Sequence, residues 1–145
     1  MAGFRLLAGG CVGLFLLFGV SGCQKSLPTA PSDLATGIVV YEHANYLGQS
    51  AHVVQDIKDL KDFKGPCVEF HQGATGVNEA RDVWNDCISS IRVAPGWRAT
   101  LYRDDDFTGD RLEVSTDLPN LQLVMGRCDK DGFNDCTTSI RLFAP

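Results

Sequence analysis

The chain has 145 residues, 44% of them apolar, and carries a formal net charge of −5 at pH 7. That length suits one compact domain rather than several. The acidic balance argues against a nucleic-acid or anionic-lipid surface, either of which needs a cationic face.

The N-terminus reads as an export signal. Residues 1–22 contain one cation, Arg5, then an apolar stretch over residues 6–20 that is too short and glycine-rich to span a bilayer comfortably. It ends Gly19-Val20-Ser21-Gly22-Cys23. The pattern resembles the bacterial lipoprotein signal, in which small residues precede a cysteine that is lipidated and becomes the mature N-terminus. The resemblance implies a lipid on Cys23 that holds the protein at the cell envelope. Gln24 rather than Asp after that cysteine implies the outer membrane in a Gram-negative cell. An ordinary secretory signal, with Cys23 incidental, is the alternative. Residues 23–36, polar and proline-containing, read as a flexible tether, followed by one domain over residues 37–145. Without the first 22 residues, 12 cations face 18 acids.

Past the tether the elements are short strands. Residues 37–41 are β-branched and aromatic, and residues 50–54 alternate with period two. Gly48, between them, sits where a hairpin needs positive φ or close packing. Residues 56–63 make one helical turn at most. Residues 89–93 close the first half. The second half repeats the series with strands at 99–102, 111–114 and 139–143, and with Gly109 in the place of Gly48. No window sustains a 3.6-residue period, so the class is all-β. Trp84, Trp97, Phe63, Phe70, Phe133 and Phe143 are the expected aromatic core.

The two halves are one unit written twice, over residues 37–95 and 96–145. Asn85-Asp86-Cys87-Ile88-Ser89-Ser90-Ile91-Arg92 returns as Asn134-Asp135-Cys136-Thr137-Thr138-Ser139-Ile140-Arg141, six of eight positions identical. Tyr41 to Cys67 and Tyr102 to Cys128 are both 26 residues, but Cys67 to Cys87 is 20 and Cys128 to Cys136 is 8. Twelve extra residues therefore lie between Cys67 and Cys87, and a surface loop over residues 71–82 is expected. Four cysteines remain in the exported domain, which suits an oxidising compartment. Three pairings are possible, and the matched positions favour Cys67–Cys87 with Cys128–Cys136. Zinc is the competing use, but His43, His52 and His71 lack ligand spacing.

Aromatic-x4-aromatic-x-Gly occurs at Tyr41-Tyr46-Gly48 and at Tyr102-Phe107-Gly109. Each copy is followed by the Asn-Asp-x-x-Ser/Thr-Ser loop. This order resembles the microbial calcium-binding branch of the βγ-crystallin family. The resemblance implies two Greek-key motifs packed as a sandwich, and up to two Ca2+ ions. One site would take Asp86 and Cys87 from one loop with Thr138 from the other. The second would take Asp135 and Cys136 with Ser89. Asn85 and Asn134 would brace the loops, while Ser90 and Ser139 bond backbone. Glu42 fits an acidic position beside one site, whose counterpart is Arg103, so the Glu42 site is expected to be the tighter. Asp104, Asp105 and Asp106 read as a solvated hairpin tip.

The residues give no nucleophile–base pair and no activated-serine turn, so an enzyme is not expected. The reading is a monomeric, calcium-binding surface lipoprotein. Two others stand beside it: a secreted protease inhibitor of crystallin-like fold, using the Cys67–Cys87 segment, and an adhesion module for cell-wall glycan.

Overall fold

In the computed structural model, residues 34–72, 74, 76–125, 128 and 132–145 are described, with the backbone alone at His71. The signal over residues 1–22, Cys23 and most of the tether lie outside the described residues. Eight strands are found among those described: β1 (Ile38–His43), β2 (Leu47–Val53), β3 (Lys64–Gln72), β4 (Asn78–Val83), β5 (Ser90–Val93), β6 (Arg98–Tyr102), β7 (Arg111–Val114) and β8 (Ser139–Phe143). They form antiparallel sheets in the orders β2-β1-β5, β3-β4 and β7-β6-β8.

The outer two sheets are equivalent. Tyr41 faces Ser50 on one side and Ser90 on the other, just as Tyr102 faces Arg111 and Ser139. β1 and β6 are the central strands, and their β-branched and aliphatic residues suit a strand paired on both edges. The segment after each first hairpin then crosses to the other repeat. Ile57 exchanges backbone hydrogen bonds of 2.8 and 2.9 Å with Ile140 of β8. Leu118 exchanges bonds of 2.8 and 2.9 Å with Ile91 of β5. This reciprocal crossover is the Greek-key connection, and it makes the two repeats one sandwich. Ile38, Val40, Leu60, Ile88 and Ile91 of the first repeat pack with Leu101, Leu121, Phe133 and Ile140 of the second.

Each hairpin folds back on itself. Asn45-Tyr46 and Asp106-Phe107 all have positive φ, between 48° and 63°, which costs a non-glycine residue unless its surroundings hold it. What holds them is shared: the Tyr46 and Phe107 N–H groups donate to the Ser90 and Ser139 hydroxyls, both at 3.0 Å. The rings of Tyr41 and Tyr46 meet edge-on at 5.6 Å, and those of Tyr102 and Phe107 lie tilted at 5.9 Å. Arg92 and Arg141 cap Tyr46 and Phe107. Gly48 has φ +77°, and a Cβ there would lie 2.9 Å from the Glu42 carboxylate.

The single helical turn expected over residues 56–63 is a 3₁₀ turn, Leu60–Asp62, capped by the Asp59 carboxylate. Three expectations are corrected. The extra twelve residues are not a loop. Cys67 bridges to Cys87, and the insertion lengthens the chain between them into the β3–β4 hairpin, whose paired register runs from Cys67↔Val83 to Gln72↔Asn78. Phe70 lies on the outer face of that hairpin, 70% exposed, and is not core. Phe143, at the end of β8, is 39% exposed and lies 5.5 Å from the Arg98 guanidinium. Trp84 and Phe133 are buried, whereas Trp97 is half-buried. Cys128 bridges to Cys136.

Candidate metal centre

Each Asn-Asp-Cys loop turns on its aspartate, Asp86 at φ 48° and Asp135 at φ 49°. Aspartate visits the left-handed region more readily than most residues because its short side chain bonds locally. Here the preceding asparagine does the bracing: the Asn85 and Asn134 amides donate to the Asp86 and Asp135 carboxylates. Each loop also hooks onto the other. The Asp86 N–H donates to the Thr137 carbonyl at 3.1 Å, and the Asp135 N–H to the Ile88 carbonyl at 3.2 Å.

Around Ser89 three oxygens from three segments meet. Its hydroxyl lies 2.8 Å from the Glu42 carbonyl and 3.2 Å from Asp135 Oδ1. The hydroxyl has one proton to donate, so it can satisfy only one of these acceptors at a time. A hydroxyl, a carbonyl and a carboxylate are the kinds of oxygen that a hard divalent cation prefers. Glu42 thus offers its carbonyl. Its carboxylate is turned to the hairpin, accepting from the Gln49 N–H at 3.0 Å. Ser90 and Ser139 bond backbone, donating to the His43 and Asp104 carbonyls at 2.6 Å.

The equivalent cleft, about 380 Å³, is walled by Asn85, Asp86 and Thr138 with Lys61, Glu69 and Asp104. Arg103 and Asp135 reach it too. The Arg103 guanidinium is tied to the carboxylates of Asp104 and Asp110 at 3.2–3.3 Å. Asn85 Oδ1 is buried in the cleft wall with no hydrogen-bond partner among the described residues, a state that costs free energy unless something binds it. Burial, and next the charge of Glu69, push the Asp86 carboxyl up to about 6, against the pull of Lys61 and the Asn85 hydrogen bond. Burial likewise raises Asp135, opposed by its bonds from Ser89 and Asn134. Cys87 and Cys136 follow the aspartates, and both sulfurs are committed to the disulfides. Among the described residues no three His, Cys, Asp or Glu side chains form a ready cluster. The oxygens gathered around Ser89 belong to one carboxylate, one hydroxyl and one carbonyl.

Motif reading alone passed over Glu69 and Lys61. The signal for Glu69 was there: it stands two residues past Cys67, whose disulfide partner directly follows Asp86.

No protein-family model matches the chain. It is 49% identical over 43 residues to the development-specific protein S homolog of Myxococcus xanthus, 30% of this chain and 25% of that protein. It is 28% identical over 86 residues to spherulin-3A of Physarum polycephalum, 58% of this chain and 66% of that protein. The chain thus spans from a quarter to about two thirds of these curated relatives. Among solved structures, a βγ-crystallin domain from Flavobacterium johnsoniae superposes with a TM-score of 0.50 at 30% identity, covering 74% of this chain and 93% of that one. With the crossed Greek keys and the doubled hairpin motif, that likeness places the chain in the βγ-crystallin family of all-β, non-catalytic folds.

Proposed function

We propose that this is a calcium-binding βγ-crystallin-like domain in which each ion joins the two repeats. The observation that carries the reading is the meeting of Ser89 Oγ, the Glu42 carbonyl and Asp135 Oδ1 within 3.2 Å of the hydroxyl. Ser89 and Glu42 belong to the first repeat and Asp135 to the second, so an ion there cross-links both halves. Asn85 Oδ1, orphaned in the wall of the twofold-related cleft, supports a second position. Calcium supplies positive charge and a demand for six to eight oxygens. The chain supplies the rigid loops, and water completes the shell. The role is stabilisation, with the domain tethered to the cell envelope by a lipid on Cys23. That last part rests on the sequence of residues 1–23.

Calorimetric titration of the protein with calcium, with magnesium as the control, tests the reading. We expect dissociation constants of about 10⁻⁵–10⁻³ M, the weak range of extracellular modules with few carboxylates, and a rise in melting temperature with calcium. No heat and no rise at millimolar calcium would refute it.

A further inference from the structure

Only the first repeat carries the twelve extra residues, and the β3–β4 hairpin they build is bridged to the Asp86 loop by the Cys67–Cys87 disulfide. Cys87 is the residue after Asp86. The bridge therefore pins the base of the hairpin beside the Asp86 loop. Along β3 side chains alternate between faces from Cys67 onward. Val68 and Phe70 point outward, 58% and 70% exposed. Cys67 and Glu69 occupy the opposite, half-buried face, and Glu69 reaches the cleft that holds Asp86, Thr138 and Asn85. Arg81 stands opposite Glu69 in the register, and Lys61 in the cleft moderates the acidic charge gathered there.

In the second repeat only 8 residues separate Cys128 from Cys136, against 20 between Cys67 and Cys87 in the first. The first-repeat cleft also carries a cationic side chain that acidic groups must offset. At the position of Glu42 it has Arg103, whose guanidinium is bound to Asp104 and Asp110. We propose that the inserted hairpin is a third wall of the Asp86–Thr138 calcium site, and that Glu69 is the carboxylate ligand this site takes from it. The two sites of the domain then differ in construction: one is made from two loops and a hairpin carbonyl, the other from two loops and an inserted strand. The inference rests on the calcium reading above.

The test is calcium calorimetry on the full chain in three backgrounds. In Ser89→Ala, which leaves the Asp86–Thr138 site to be read alone, Glu69→Gln should weaken calcium binding by at least about tenfold, because removing one charged ligand lowers affinity steeply. Glu69→Asp should retain part of the affinity. In Thr138→Ala, which leaves the Ser89–Asp135 site, Glu69→Gln should change nothing. Phe70→Ser, on the outer face of the same strand, should leave both sites intact and shows that the hairpin tolerates substitution. Wild-type protein that binds calcium while Glu69→Gln changes neither site, or both equally, overturns the hairpin ligand and leaves the calcium reading standing. Wild-type protein that binds no calcium overturns both.

Discussion

Replacing Ser89 by alanine separates two roles of a single hydroxyl. Without calcium, the hydroxyl donates to the Glu42 carbonyl at 2.8 Å in a residue only 7% exposed. Losing that bond should cost about 1 kcal/mol, the usual net worth of a neutral hydrogen bond. With calcium the loss is larger. A ligand held at about 100 times its dissociation constant adds roughly 2.7 kcal/mol per site if only the folded state binds it. The gap between wild type and Ser89→Ala should therefore widen from about 1 to nearly 4 kcal/mol, while Thr138→Ala loses its own increment and the double variant loses both. Urea titrations with calcium and with chelator measure all four quantities, and an unchanged slope would show that the folded state is preserved. If Ser89→Ala gains as much from calcium as wild type does, the hydroxyl is not a ligand and the three-oxygen meeting is only a hydrogen-bonded turn.

Further outcomes follow from the same geometry. The Asp86 carboxyl titrates near 6 in the folded protein against 3.8 when unfolded, so the folded state holds its proton more tightly. This contribution is complete below about pH 4 and is lost as pH rises through 6, so calcium-free protein should lose stability across that window. Calcium needs the carboxylate, so its stabilisation should run the other way and fade as pH falls below 6; denaturant midpoints at pH 4–7 read both trends. Removing the Cys67–Cys87 bridge, which closes 20 residues, should cost about 3 kcal/mol and removing Cys128–Cys136, which closes 8, slightly less on the chain-entropy model; urea unfolding of the paired Cys→Ser variants measures each. Phe133→Ala, at a fully buried position shared by both repeats, should cost about 3–5 kcal/mol. Cys23→Ser should move the protein from the membrane fraction to the soluble one and abolish fatty-acid labelling, with the domain's melting temperature unchanged; wild type that is soluble and unlabelled would remove the lipid anchor.

The repeat made the fold legible because it was written in residues with few alternatives. Tyr41, Tyr46 and Gly48 specify a folded hairpin by ring packing and a positive φ, and their twofold partners repeat the same constraints. Ser90 and Ser139 were readable as backbone partners for the same reason: a buried hydroxyl beside a tight turn meets the turn's own carbonyl and N–H. The insertion was legible only as a length. Alternation along residues 67–72 marks a strand, but Gly73 and Gly76 and the polar residues around them read equally as a loop. What makes it a hairpin is the pairing of residues 67–72 with 78–83, which neither segment shows by itself. Phe70 and Phe143 failed as core residues because aromatic character says nothing of which face of a strand turns inward. The orientation of Glu42 was hidden in the same way. Its carboxylate accepts from the Gln49 N–H of the hairpin, while its carbonyl accepts from the Ser89 hydroxyl.

The two repeats are held together by two different kinds of contact, one in the core and one at the surface. The Ile57–Ile140 and Ile91–Leu118 bonds exchange strands between halves within the core, where water cannot compete for the donors and acceptors. The Asp86–Thr137 and Asp135–Ile88 bonds join the loops at the surface, beside two aspartates whose burial opposes their ionisation. When ionised, the two aspartates bring negative charge to this surface contact, and Lys61 offsets part of it at Asp86. A divalent cation bound between the loops reverses the sign of that contribution, turning mutual repulsion into a bond between repeats. The domain should therefore fold without calcium, through its crossed strands, and gain from calcium chiefly at the loop end of the sandwich. Amide hydrogen exchange gives that expectation its test. Protection at Ile57, Ile91 and Ile140 should be high in chelator and change little, while protection at Asp86 and Asp135 should rise on adding calcium. Equal gains at both ends would mean that calcium acts on global unfolding alone and that the loops do not open separately.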